Sequence, residues 1–374
     1  MNPQNESNGA GQNRARVPDG AKILLFKYDG IGDMLFLRMF FETLSEVLKK
    51  RHIRADFLCC ERFRDVLTNE EKKIFEAVHF ERAGNFLIGR KKLKAKILSF
   101  IPKYAGKIAA HGKIAPLIGT HFDVLMNLNI TSNVEKGLFG ALKGAQRFTT
   151  RNLPGETMNF PCDKCVTMRY DNFVLNLYRD ILSEYFDTPF PIPSLSLPFT
   201  KEQSLRTAVD VLGEREYVCF APFTSSHTRN WDARNFVFAA RELHKKTRLK
   251  IAILGSTREK SIFHDIQNEP NVINLVNKTS LRQAMHIAAA SKYAIVCDTS
   301  LMHFARIGGS NCICVSCGDC NKLFVEYPKE YNIRQTILYP ESFDPAIGVR
   351  HSGLNVNLIT PQRVLGKIDE TWDL

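Results

Sequence analysis

No apolar run in the 374 residues approaches the roughly 18 needed to cross a bilayer, which argues against a membrane-spanning helix. The first 20 residues, rich in Asn, Gln and Gly, lack the apolar centre of a secretory signal. A cytoplasmic location is therefore expected, with residues 1–20 forming a disordered tail. Acid is missing from one long window: no Asp or Glu occurs between Arg82 and Phe122, although Arg82, Arg90, Lys91, Lys92, Lys94, Lys96, Lys103, Lys107 and Lys113 all fall inside it. Neither an aromatic RNA-binding motif nor a helix-turn-helix signature accompanies these charges, so no nucleic-acid partner is expected.

What is present describes a soluble globular chain, 44% hydrophobic and 24% charged, long enough for two domains. The net charge is +12. The basic window is interleaved with Leu93, Ile97, Leu98, Phe100, Ile101 and Tyr104. A solvated helix face explains such a run, and so does a basic amphipathic segment that meets an anionic substrate or an anionic membrane surface. The second reading implies peripheral contact with the inner face of the cytoplasmic membrane. Of ten cysteines, Cys59, Cys219, Cys297, Cys312 and Cys314 lie in apolar strand-like runs, where reduced Cys acts as a small hydrophobe. Cys162-x-x-Cys165 and Cys317-x-x-Cys320 have metal-ligand spacing. Zn or Fe there would require two pairs far apart in sequence to meet across domains, and separate reduced thiols are the favoured reading.

Strand-like runs are expected at Lys22–Phe26, Ala55–Cys59 and Phe122–Leu128, with a helical pattern at Leu37, Phe41, Leu44 and Leu48. The stretch from about 60 to 120 has no clear period. Pro189, Pro191, Pro193 and Pro198 exclude helix and central strand from residues 186–200, an expected interdomain linker. Beyond it strands Tyr217–Ala221, Lys250–Leu254, Val272–Leu275, Tyr293–Cys297 and Cys312–Ser316 alternate with helices Ala233–Lys246, Arg258–Asn268, Leu281–Ala290 and Ser300–Ile307, and a last helix follows Pro361. This alternation predicts an α/β protein: two doubly wound Rossmann-like domains, residues 21–185 and 201–360, facing across a cleft, with a C-terminal helix at 361–374.

Ligands of such sheets bind beyond the carboxyl ends of strands, and three loops there carry chemistry. Gly30-Ile31-Gly32-Asp33 puts two glycines and a carboxylate between the first strand and its helix. It lacks the third glycine of a dinucleotide fingerprint, since residue 35 is Leu. Asp33 is either a helix cap or an active-site acid. Thr224, Ser225 and Arg229 lie in a strand-to-helix loop suited to an anion, or in an ordinary capped loop. Asp298-Thr299-Ser300-Leu301 opens a helix whose free N–H groups suit a phosphate. Asp298 either caps that helix or binds a sugar hydroxyl.

The segments KYDGIGDML, TSSHTRNWDARNF, ILGSTREK and CDTSLMHFARIGG occur in the order seen in the ADP-heptose transferases of glycosyltransferase family nine, which the chain resembles over roughly residues 22–320. The resemblance implies the two-domain GT-B architecture, ADP-heptose as donor substrate, no metal in catalysis and inversion of the anomeric centre. It further implies Asp33 as general base, Thr224, Ser225 and Arg229 at the donor phosphates, and Asp298, Thr299, Ser300, Leu301 and His303 on the donor-binding segment. Two residues depart from the family pattern: Arg229 stands where Lys is usual and Ser300 where Gly is commoner. The expected acceptor is a lipopolysaccharide-core or related glycan, free or lipid-linked. Alternatives are another nucleotide sugar, a protein acceptor, or a nucleotide-binding module without turnover.

Overall fold

A computed structural model describes residues 15–81, 117, 119–130, 142, 146–151, 162–256, 269 and 271–373. Most of the acid-free basic window and the expected helix Arg258–Asn268 lie outside the described residues.

Two six-stranded sheets, each wholly parallel, organise the chain. The first is built from β1 (Lys22–Lys27), β2 (Arg54–Cys60), β3 (Ala77–Glu81), β4 (Val124–Asn127), β5 (Gln146–Arg151) and β6 (Lys164–Thr167), in the order β3-β2-β1-β4-β5-β6. The second comprises β7 (Tyr217–Ala221), β8 (Lys250–Ile253), β9 (Val272–Asn274), β10 (Tyr293–Cys297), β11 (Asn311–Val315) and β12 (Thr336–Leu338), ordered β12-β11-β10-β7-β8-β9. Each order runs outward in both directions from its first strand, so the first sheet reverses direction between β1 and β4 and the second between β7 and β10. At these switch points the flanking connections leave on opposite faces and open a crevice at the strand carboxyl ends. The central strands explain the pattern: β7, β10 and β11 are buried at every position, as expected of strands covered by helices on both faces.

Helix α1 (Ile31–Arg38) leaves β1 directly, followed by α2 (Phe41–Lys50) and α3 (Asn69–Lys72). Helix α4 (Val174–Phe186) closes the first lobe and ends on Asp187 in the left-handed conformation. Neither helix nor strand occurs from 187 to 200, and then the Thr200–Gln203 capping box starts α5 (Lys201–Leu212). In the second lobe lie α6 (Ala233–Thr247), α7 (Leu281–Ala290), α8 (Ser300–Ile307) and α9 (Pro361–Thr371).

Eight expected strands are found within one or two residues of their limits. Unforeseen were β3, β5, β6, β12, α3, α4 and α5. The two first-lobe strands β5 (QRFTTR) and β6 (KCVT) are polar and β12 has three residues, so none has an apolar run to read. Helix α5 buries only Ser204, Ala208 and Leu212, a stripe in which two of three members are small. Helix α4 has Phe173 at its N-cap and no side-chain cap, so it lacks a start signal.

One apolar cluster runs through both lobes, from Ile23 and Phe36 to Met302 and Tyr327, and a second covers the far face of the second sheet around Trp231 and Ile313. The lobes meet at α1 and α8. Phe36 of α1 and Phe173 lie edge-on 5.3 Å apart, Phe36 packs edge-on against His303 at 4.9 Å, and Phe173 lies 4.9 Å from Tyr327. Polar ties lie elsewhere: Arg282 of the second lobe donates to the Asp65 carbonyl of the first, and Arg38 donates to the Ser196 carbonyl in the segment that connects them.

Candidate functional site

At the first switch point the loop after β1 is anchored by side chains at and just beyond the end of β4. Asn129 Oδ1 accepts the N–H groups of Tyr28 at 2.5 Å and Asp29 at 3.2 Å. The Asn129 amide is itself held by Asn127 Oδ1 at 2.7 Å, and Asn127 donates to Thr149 at 3.0 Å. The buried Lys27 ammonium pairs with Asp29, whose carboxylate also takes the Ile130 N–H at 2.5 Å. Asp33 follows on the first turn of α1. It is not the N-cap: Gly30 is, with no side-chain hydrogen bond. Asp33 is 8% exposed, and its Oδ1 is buried with no hydrogen-bond partner. Burial first, then the Asp29 charge, push its carboxyl up to about 6, against the pull of Lys27 and of backbone N–H groups at Asp33 and Gly30. A carboxyl with an idle lone pair and a pKa near neutrality suits proton abstraction better than capping.

Both glycines of the loop are explained by close approach. A Cβ on Gly30, whose φ of −69° is ordinary, would lie 2.2 Å from Asp33 Oδ2. One on Gly32 would lie 2.8 Å from His303 Cδ2 and 3.8 Å from the Ser300 Cα. The neighbours that require glycine are thus a catalytic-type carboxylate and the facing lobe, where the sequence suggested a tight turn and an approaching ligand.

At the second switch point Arg229 closes a short 3-10 turn, His227–Arg229. Its guanidinium donates to Asp298 Oδ2 at 2.8 Å and to Ser225 Oγ at 3.0 Å. Thr224 is engaged within its own loop: its N–H donates to Asn230 Oδ1 at 2.8 Å, its hydroxyl to the Ser226 carbonyl at 2.6 Å, and it accepts the Ser226 N–H at 3.1 Å. Asp298 is 6% exposed. Burial raises its carboxyl pKa and Arg229 opposes the rise. Asp298 is not the cap of α8; its contact is an ion pair with Arg229. The N-cap of α8 is Thr299, with no side-chain bond, so the first N–H groups of this eight-residue helix lack a side-chain partner. Ser300 and Leu301 are half-buried on that turn.

His303, one turn further, is buried against Gly32, and its Nδ1 shares a 2.8 Å hydrogen bond with the Tyr327 hydroxyl. Burial and Arg306 pull its pKa down to about 3, so the ring is neutral. It therefore adds no positive charge for a phosphate and sits in the joint between lobes. The joint unites the half-sites: Asp33 is next to Gly32, Gly32 faces Ser300, and Ser300 lies two residues from Asp298. Sequence reading gave no role to Lys27, Asp29, Asn129 or Tyr178. The signal was there, in a lysine ending an apolar strand with an aspartate two residues later.

The cysteine pairs stay on separate sheets. Cys162 and Cys165 are at the start of β6, Cys317 and Cys320 beyond β11. Cys320 Sγ donates to the Arg350 carbonyl at 3.4 Å, and burial pushes its thiol up to about 12. Among the described residues no group of three or more His, Cys, Asp or Glu is arranged to hold a metal ion. Also among them, no helix is long and apolar enough to cross a membrane.

The model of glycosyltransferase family 9 (heptosyltransferase) matches residues 158–312, which include the linker, Arg229, Asp298 and α8. No curated protein matches the chain. Among solved structures, a family 9 glycosyl transferase from Veillonella parvula is 14% identical with a TM-score of 0.62, covering 96% of this chain and 98% of that one. The ADP-heptose lipopolysaccharide heptosyltransferase II of E. coli is 16% identical with a TM-score of 0.61, covering 94% and 98%. The E. coli heptosyltransferase WaaC, solved with ADP-2-deoxy-2-fluoro heptose, is 14% identical with a TM-score of 0.58, covering 93% and 99%. At these identities the shared feature is the two-lobed GT-B fold. The family model matches residues 158–312 and the fold likeness spans nearly the whole chain: the protein has the two-lobed GT-B fold and, over residues 158–312, is similar to glycosyltransferase family 9.

Proposed function

We propose that the protein transfers heptose from ADP-heptose to an anionic lipopolysaccharide-core glycan, with inversion at the anomeric carbon and Asp33 as general base. The observation that carries this reading is the buried, unpartnered Oδ1 of Asp33, one residue from the point where α1 touches the opening turn of α8. In the proposed reaction the acceptor hydroxyl gives its proton to the Asp33 carboxylate as its oxygen attacks the anomeric carbon. The bond from that carbon to the diphosphate breaks on the opposite face, and ADP leaves. Charge grows on the departing phosphate oxygens. Arg229 and the free N–H groups at the start of α8 supply donors that need little rearrangement. Arg229 enters the reaction paired with Asp298, so a bound diphosphate would share or displace that carboxylate. The planar guanidinium can hold Asp298 on one edge and a phosphate on the other, which the ammonium of a lysine does with less directional control.

The family resemblance implies that no metal ion is needed. The basic residues between Arg82 and Phe122 suit an anionic acceptor at the inner membrane face. ADP-heptose and a heptose-free lipopolysaccharide core are the probes. Native protein is expected to release ADP only when both are present, and Asp33→Asn to bind ADP while releasing it about 10²–10⁴-fold more slowly. Asp33→Asn turning over at the native rate would refute the assignment. ADP binding without consumption of any nucleotide sugar would identify a binding module instead.

A further inference from the structure

Lys27, the last residue of β1, has no exposed surface. Its ammonium pairs with Asp29 and lies 5.1 Å from the centre of the Tyr178 ring. Lysine is almost never buried without a partner, and an apolar residue would fill the same space without the desolvation cost. Asp33 folds back over the same turn: its Oδ2 lies 2.2 Å from where a Cβ on Gly30, the neighbour of Asp29, would sit, and the Lys27 and Asp29 charges act on it in opposite senses. We propose that Lys27 and Asp29 are positioning residues acting as opposed electrostatic levers on Asp33, the ammonium favouring its ionised form and the second carboxylate resisting it. Together they set the pH at which the base becomes available.

The catalytic meaning of this inference rests on Asp33 being the base; the electrostatic content does not. The other charged and titratable groups around this turn leave the levers in control. Tyr178, from α4, is kept neutral because burial and then Asp29 and Asp33 push its phenol well up. His303, from α8, is neutral against Gly32. Arg62, from the 3-10 turn after β2, spends its guanidinium on the Tyr28 and Asp29 carbonyls. Asp33 Oδ1 has no hydrogen bond to fix its state, so nearby charge decides it.

The test is carboxyl ¹³C NMR titration of the full chain with labelled aspartate, the Asp33 signal being assigned by its loss in Asp33→Asn. Lys27→Met is expected to move the Asp33 midpoint up by about one pH unit or more, and Asp29→Asn to move it down by a similar amount. Lys27→Arg, which keeps the charge, should leave it near the native value. The acid limb of ADP release from ADP-heptose should follow the same directions with the donor KM unchanged, which a merely structural role would not produce. A midpoint unmoved in both variants, or moved the same way in both, overturns the proposal. Should Lys27→Met fail to fold, Asp29→Asn and Lys27→Arg carry the same test. An inactive Asp33→Asn with an unmoved midpoint refutes the levers alone. An active Asp33→Asn refutes the base while the titration still decides the levers.

Discussion

Asp33 gains nothing for stability by being ionised where it is. Its folded carboxyl titrates near 6, above its ordinary value of 3.8, so the folded state holds the proton more tightly than the unfolded chain. Stability therefore falls as pH rises from about 4 through about 6, and the loss persists above. Asn in its place carries no such cost. We expect Asp33→Asn to melt higher than the native protein at pH 8, by on the order of 2 kcal/mol, and the advantage to vanish near pH 4. Chemical denaturation at the two pH values checks this. Arg229 is held differently, through an ion pair about one-fifth exposed on the arginine side. Arg229→Met would strand the buried Asp298 carboxylate, costing at most about 3 kcal/mol, and weaken ADP binding roughly tenfold or more. Adding Asp298→Asn should restore stability without restoring ADP affinity. Asp33, Arg229 and Asp298 stood out in the sequence as candidates because each lies between an apolar strand and the body of the helix that follows it, where few purely structural roles call for a charge. Their partners were not legible. The Arg229–Asp298 pair joins residues 69 apart, and the crowding that demands Gly32 comes from a helix of the other lobe.

Among elements, the proposed reaction depends most on the contact of α1 with α8. It is built without slack: a methyl on Gly32 would meet the His303 ring, which Tyr327 and Phe36 fix in place. Gly32→Ala should shift the two helices, lowering both the melting temperature and the rate of transfer. Gly30→Ala would intrude on Asp33 Oδ2 alone, so its rate should fall with a smaller change in melting temperature. Comparing the two variants separates displacement of the joint from displacement of the acid. If Gly32→Ala has native stability and rate, the joint is looser than described. Sequence periodicity captured the buried strands and α8 because their apolar runs are continuous. It failed at α5, whose buried stripe contains Ser and Ala, and at β5 and β6, where polar residues make up the strand and ladder hydrogen bonds do the work.

The whole molecule combines two sheets with one apolar core that passes between them. Side chains from both lobes interlock in it, and Arg38 and Arg282 tie the outer parts together. Unfolding either lobe would expose the shared surface, so calorimetry should show one cooperative transition. Two well-separated transitions would contradict a shared core. The two-lobe architecture could be anticipated from alternating strands and the proline run, whereas the core linking the lobes needed three-dimensional contacts. In the proposed reading this linkage sets Asp33, from the first lobe, opposite Arg229 and the first turn of α8, where the diphosphate would lie. The most direct test of that central claim is a crystal structure with an unreactive ADP-heptose analogue bound. The account predicts the diphosphate on Arg229 and the first turn of α8, with the anomeric carbon turned toward the Asp33 carboxylate. A nucleotide bound elsewhere, or an anomeric carbon facing away from Asp33, would contradict it.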